Sequence, residues 1–384
     1  MAEKFGRPQV IINFKTKSAT AVTRSGRGVG CIILDDENAT DKVIMYTITD
    51  ESEIPSSGLS AKSIDLIKKA LLGTPSKLFV LVIGSLHIQA DALKNASTLK
   101  FNYICHPTGN AQNQADLAAW VKMQRRTKHR TIKGVVANVD ADSYGVINFT
   151  TGNIRIVNPD YTDALIAAEG IAEAVDPNIP HYLTYTAEEY TARILGIACG
   201  VTLDRSMTYY ELSEIYDCDT YGDVDEHISN GELCLIDEGD GHGVKIARGC
   251  NSLHTFTTDI GQDFRYIKIV ETIDLITDDI RDTFRSDYLG KVLNDYDHKM
   301  LFIAAILVYF NELKGNILDS SSNTSNTVDI DVEANKDYAI LKGRDVSEMT
   351  LQELRETNTG TNVFLTGQIT PVNSMEDLKV NFVL

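Results

Sequence analysis

The sequence predicts an α/β layer domain followed by an α+β domain, with an extended β-arm at each end. Three observations carry this. Apolar, strand-like runs alternate with helical patterns up to about residue 200, the signature of a layered α/β domain. After about residue 230 the pattern changes to a hairpin, two long helices and returning short strands. At the ends, Val10, Ile12 and Phe14 alternate with Ile11, Asn13 and Lys15, and Leu378, Val380, Phe382 and Leu384 alternate with Lys379, Asn381 and Val383. A period of two places one apolar row on one face of a strand. Free termini fray unless tied into a sheet, so two patterned ends suit strand addition to neighbouring chains.

Residues 1–22 read as the N-terminal arm. Gly26, Gly28 and Gly30 read as a joint, because a residue without Cβ tolerates unusual φ/ψ. CIIL (31–34) opens a buried strand, and residues 62–72 form an amphipathic helix closed by Gly73. KLFVLVIG (77–84) is continuously apolar, as in a strand buried on both faces. FNYIC (101–105) is another strand, 114–130 a helix, and 134–139 and 147–157 strands. Helices are expected at 162–175 and 187–200. ELCLID (232–237) and GVKIARG (243–249) read as a hairpin around EGDGHG. Helices at 264–286 and 297–314 flank a turn at Gly290, and SSSNTSN (320–326) is a loop. Strands are expected at 328–333, 338–342, 363–370 and 377–384. The expected division is a 1–22 arm, a 23–230 α/β domain, a 231–376 α+β domain and a 377–384 arm strand.

The formal net charge is −18, which argues against a general nucleic-acid binder. The charge is uneven. Residues 1–30 carry Lys4, Arg7, Lys15, Lys17, Arg24 and Arg27 against Glu3 alone, whereas no Lys or Arg falls between Ser206 and Val244. Lys122, Arg125, Arg126, Lys128, Arg130 and Lys133 form a dense basic cluster without an aromatic platform for bases. Such a distribution attracts unlike faces of neighbouring copies. Lys15, Lys17, Arg125 and Arg126 against Asp223, Asp225 and Glu226 are the candidate contacts between copies.

The six cysteines are scattered without a C-x-x-C, as expected of reduced, buried thiols. The start MAEKFGRPQ lacks an apolar signal core, and Leu301–Phe310 is too short for a membrane helix. No cofactor or metal site is expected. SGRGVG is similar to a dinucleotide loop but precedes its strand. Asp217-Cys-Asp219-Thr-Tyr-Gly222 is similar to the start of a calcium loop but has Ile228 where the last carboxylate belongs.

The ordered segments GRPQVIINFKTKSATAVTRSGRGV, GVVANVDADSYGVINF (134–149), NSLHTFTTD (251–259), YIKIVETIDLITDDIRDTFRSDYLGKVLN (266–294) and TNVFLTGQITPVNSMEDLKVNFVL resemble the contractile tail sheath proteins of phages, in the short form of prophage-derived particles and R-type bacteriocins. The resemblance implies a subtilisin-like, non-catalytic α/β domain facing outward and an inner α+β domain carrying both arms. It implies hexameric rings stacked helically around a tail tube, linked by arms that pair with strands of adjacent subunits. Tail tube, baseplate and tail terminator proteins are the implied partners, with no nucleic acid and no membrane insertion. The implied location is a phage tail or phage-tail-like particle, after synthesis in the bacterial cytoplasm. From Val10 to Arg24 an extended arm reaches roughly 50 Å, enough to cross into a neighbour.

The alternative is a peptidase on the same α/β domain. Asp204-Arg-Ser206-Met207-Thr208 faintly resembles a subtilisin nucleophile segment but lacks Gly-Thr before the serine and the small residue and proline after it. A triad needs geometry from all three groups, and no catalytic residue is expected.

Overall fold

The computed structural model describes residues 27–39, 42–161, 180–239, 241–322 and 325–383. They form two compact units, one of residues 27–271 with 374–383, the other of 272–373.

The larger unit is built on a seven-stranded sheet. Its strands are β1 (Val29–Asp35), β2 (Ile44–Ile48), β3 (Lys77–Ile83), β4 (Tyr103–Cys105), β5 (Lys133–Ala137), β6 (Val146–Phe149) and β10 (Glu232–Leu233), in the order β10-β6-β5-β4-β1-β3-β2. All pairs are parallel except β2 with β3 at one edge. Helices cover both faces, which is why the central strands are apolar throughout. Ile32 and Leu34 of β1 join a core with Leu66, Ile67 and Ala70 of α1 (Ala61–Leu71) and Ile194, Leu195 and Ala198 of α4 (Ala187–Gly200). Cys31 and Ile33 face a second core with Ala92 and Ala96 of α2 (Gln89–Ala96) and Leu117 and Val121 of α3 (Ala111–Lys128). α1 and α4 approach so closely that a Cβ on Gly196 would lie 2.1 Å from the Ala70 carbonyl oxygen.

An antiparallel three-stranded sheet adds β7 (Ile154–Val157), β8 (Tyr182–Tyr185) and β9 (Ile215–Asp217). The short α5 (Val224–Ser229) precedes β10, and β11 (Leu235–Asp237) pairs with β12 (Val244–Ile246) as the expected hairpin. The helix expected at 162–175 lies outside the described residues.

Helix α6 (Ile267–Thr283) begins in this unit, and the unit boundary falls after Glu271. The sequence suggests a division at 230/231, and the compact units divide after Glu271. β10 pairs with β6, and the Ser252 amide donates to the Val146 carbonyl at 2.8 Å, which ties residues 232–252 to the larger sheet.

In the smaller unit a π-helical turn (Phe284–Tyr288) follows α6, and α7 (Tyr296–Leu313) supplies the core residues Phe302, Ile303, Ile306, Tyr309 and Phe310. Phe302 packs at a tilt against Tyr288, ring centres 4.5 Å apart, and the Tyr309 hydroxyl donates to Asp279 at 2.7 Å. β13 (Thr327–Ile330) and β14 (Leu365–Gln368) form an antiparallel ribbon of two strands. Between them lie α8 (Val332–Leu341) and α9 (Leu351–Arg355). The strand expected at 338–342 is thus the end of a helix. Asp331 caps it by accepting from the Ala334 amide at 2.9 Å, and buried Asn335 fixes it through the Leu354 carbonyl at 3.0 Å.

Candidate assembly site

The first described residue, Arg27, follows the segment expected to form the N-terminal arm. Arg27 is buried, and its guanidinium donates to Glu271 at 3.3 Å. Its carbonyl accepts from the Ser76 hydroxyl at 2.8 Å, and the Ser76 amide donates to the Gly28 carbonyl at 3.0 Å. Gly28 has φ +73°, a region costly for a side chain with Cβ. Glu271 also pairs with the Lys133 ammonium at 2.8 Å, which in turn lies 4.9 Å from the Tyr103 ring centre. Charges this deep persist only when paired.

The C-terminal root is held in the same unit. The Lys268 ammonium donates to the Ser374 hydroxyl at 3.1 Å and to the Asp204 carbonyl at 3.2 Å. Glu376, with its side chain 6% exposed, accepts from the Ser206 and Thr208 hydroxyls, each at 2.8 Å, and from Arg248 Nε at 3.1 Å. Arg248 also reaches Asp377 at 2.5 Å. Burial works against the Arg248 charge, but the Asp377 and Glu376 carboxylates outweigh it and push its pKa up. Burial holds the Lys268 pKa below its ordinary value, against the pull of Asp204 and Glu376. Beyond this clamp the chain is bare: Leu378 is 90% exposed, Val380 54% and Phe382 89%. Among the described residues, 377–383 join no ladder.

The other expected residues fall as follows. Val10, Ile12, Phe14, Lys15, Lys17 and Gly26 lie outside the described residues. Gly28 sits at the arm root, but Gly30 lies within β1, paired with Leu78 on one side and Tyr103 on the other. Asp223, Asp225 and Glu226 are exposed, with Asp223 capping α5 through the Glu226 amide. Arg126 is exposed on α3. Arg125, half-buried, donates to the Ile132 carbonyl at 3.0 Å and lies over the Tyr144 ring at 4.8 Å. Lys122, itself exposed, donates to the Ala141 carbonyl, and half-buried Arg130 to the Leu99 carbonyl.

Ser206 is no nucleophile. Its hydroxyl donates to Glu376 and accepts from the Thr208 amide at 3.1 Å, a ring of contacts that holds the C-terminal root. Asp217 is engaged by Arg155, and Asp219 accepts from Asn153 at 3.0 Å. Among the described residues no group of three or more His, Cys, Asp or Glu side chains is placed to hold a metal, and no helix is long and apolar enough to cross a membrane. The thiols are quenched by burial, with Cys234 and Cys250 each pushed up to about 12.

The residues that matter most at the roots were invisible as a motif. Arg27, Arg248, Lys268, Glu271 and Glu376 are isolated charges in sequence. One signal was available: Lys268 and Glu271 interrupt the apolar run of YIKIVETIDL at helical spacing, where a charge is costly unless partnered.

A polar clamp thus holds the start of an exposed apolar segment on a layered α/β unit. The comparisons with known proteins name the class. Residues 83–252 match the phage tail sheath protein central domain, and residues 259–384 the phage tail sheath C-terminal domain. The chain is 32% identical to the tail sheath protein of Clostridium phage phiCD119, over 98% of each chain. It belongs to the phage tail sheath protein family, whose members are structural proteins and not enzymes. Solved structures share the fold. The helical sheath of the anti-feeding prophage in its contracted state matches with a TM-score of 0.65 at 12% identity, covering 98% of this chain and 99% of that one. A sheath tail protein from Desulfitobacterium hafniense matches with a TM-score of 0.63 at 18% identity, covering 84% and 94%.

Proposed function

We propose that this chain is the subunit of a contractile tail sheath, assembling as stacked hexameric rings around a tail tube and contracting to drive the tube through a target cell envelope. The C-terminal segment carries the reading: it is clamped at Glu376 and then presents Leu378, Val380 and Phe382 to solvent as an unpaired apolar row. Exposed apolar alternation of this kind is the donor half of strand addition. The acceptor half is the β13–β14 ribbon, which among the described residues has an open edge on each side, one for each kind of arm. The N-terminal row of Val10, Ile12 and Phe14 would be the second donor. Gly26 and Gly28 form its joint, and Lys15 and Lys17 add charge contacts to the exposed Asp223, Asp225 and Glu226 of a neighbour, as Arg126 does.

The larger unit is the outward, subtilisin-like and non-catalytic domain. The smaller unit faces the tube, with α7 presenting Leu301, Ala304 and Val308 along one exposed stripe. Baseplate and tail terminator proteins cap the stack, and the particle is a phage tail or its relative. Contraction exchanges packings of nearly rigid units while arm ladders stay paired, because backbone bonds tolerate changes of side-chain environment.

Negative-stain microscopy tests this. The full chain should form rings, tubes or sleeves. Deleting residues 1–20, or residues 378–384, should leave folded, soluble subunits that do not polymerise. Normal sheaths from either truncated chain would refute the arm mechanism.

A further inference from the structure

The two arm roots are described above as separate contacts, yet they meet on one turn of one helix. Lys268 and Glu271 are three residues apart at the start of α6, a spacing that places both side chains on one helix face. Glu271 holds Arg27 at the N-terminal root at 3.3 Å, and Lys268 holds Ser374 at the C-terminal root at 3.1 Å. Each anchor is itself braced. Lys133 supports Glu271 from β5 at 2.8 Å, and the Asp204 carbonyl supports Lys268 at 3.2 Å. Downstream of Ser374, Ser206, Thr208 and Arg248 lock Glu376, so the C-terminal root is fixed at two successive points. Both Lys268 and Glu271 are buried, at 8% and 2% exposure. A buried charge forfeits hydration, so its position is set by its partners rather than by water.

We propose that the opening turn of α6 is a shared anchor for both arms, with Glu271 and Lys268 as positioning residues that set where each arm leaves the subunit. The inference rests on the sheath-arm reading and adds a coupling to it. Two arms rooted on one rigid turn keep a constant separation, so a subunit cannot yield at one arm without disturbing the other.

The test uses the full chain below its polymerising concentration, with a nitroxide on a cysteine placed at Met375, which is fully exposed between Ser374 and Glu376. Label mobility and the critical concentration for sheath formation are read together. Lys268→Met should free the label, shortening its correlation time at least threefold, and raise the critical concentration at least tenfold. Arg248→Gln, at a side chain 27% exposed, tests the same root with less risk to folding. Glu271→Gln, or Arg27→Lys where the former does not fold, alters the N-terminal root and should free the label as well. Near-UV circular dichroism establishes that each variant is folded. An immobile label in folded Lys268→Met and Arg248→Gln chains overturns the anchor. A freed label with unchanged assembly overturns its positioning role. A label that responds to Lys268 but not to Glu271 or Arg27 overturns the sharing. Assembly that survives deletion of residues 378–384 instead removes the arm reading, a result distinct from these three.

Discussion

Glu271 offers the sharpest stability test. Its carboxylate faces two cations, Arg27 at 3.3 Å and Lys133 at 2.8 Å, with side chains 10% and 2% exposed. Glu271→Ala leaves both cations in the interior without this carboxylate. Removing one partner from a buried ion pair costs about 3–5 kcal/mol, because the remaining charge keeps its desolvation penalty and loses its compensation. In domains of about 150–250 residues each kcal/mol shifts Tm by about 2–4 °C, so the melting temperature should fall by roughly 6–20 °C. The measurement is thermal unfolding by circular dichroism on the full chain below its polymerising concentration. Glu211→Ala is the control: its pairing with His242 at 3.7 Å is largely exposed, and its loss should change stability by about 0.5 kcal/mol or less. Replacing Arg27, Lys133 and Glu271 together by methionine should recover most of the loss, since an apolar trio of similar volume has no charge to desolvate. A Glu271→Ala chain that melts within about 2 °C of the parent would mean that water reaches these cations, and the account of the arm root would fail.

Two further outcomes follow from the larger unit. Gly196→Ala should destabilise by about 1–3 kcal/mol or more in urea unfolding, because the new Cβ meets the Ala70 backbone at 2.1 Å and nothing there can swing aside. Gly222→Ala, where a Cβ meets nothing within 4 Å, should be close to neutral. Glu214 governs part of the acid limb. Burial works against its charge, but the hydrogen bond and charge of Arg193 at 2.6 Å outweigh it and hold its pKa below the ordinary carboxylate value. The unfolded chain therefore binds this proton more tightly. The stabilisation is complete above about pH 4.3, the usual Glu value, and is lost as pH falls through the lower folded value. Glu214→Gln should be less stable than the parent at neutral pH, with the gap closing below about pH 4 in parallel urea titrations.

What the sequence disclosed, and what it hid, divides along the range of the interactions. β1, β3 and α4 were legible because their apolar runs are long and their partners lie on both faces, so pattern and environment agree. β2 was missed: it is a short edge strand whose IMYTI run leaves Met45 exposed and depends on β3 for its ladder. The strand expected at 338–342 failed because an apolar YAIL run is ambiguous by itself, and the decisive signal, the Asp331 cap, lies upstream. That residues 232–233 join the larger sheet was not legible, because β10 adds only two residues to it and its pairing partner, β6, lies about eighty residues earlier. The period-two alternation is plain at both ends of the sequence, yet the contacts of Arg27 and Glu376 were not. Arg27 and Glu271 are 244 positions apart, and Ser206 and Glu376 170, so no local pattern links them.

The placement of the C-terminal clamp has a consequence for register. Side chains alternate with a period of two, so a donated strand that slips by one residue turns its whole apolar row to the wrong face. A donor segment with a loose root could sample such slips each time a neighbour moves. Here the last anchored side chains are Glu376 and Asp377, and the apolar row begins at the next residue, Leu378. No slack separates clamp from row. Glu376 spends its hydrogen-bonding capacity on Ser206, Thr208 and Arg248, so sliding the chain by one residue would put Met375 or Asp377 into a pocket of three donors shaped for one carboxylate. Methionine would leave those donors unsatisfied, a cost of about 1–3 kcal/mol for each buried group, which exceeds thermal energy severalfold. Asp377 is shorter by one methylene and already engaged by Arg248. On the proposed arm mechanism, the clamp would fix which face of the segment is apolar before any neighbour is met, leaving the acceptor edge to supply main-chain bonds.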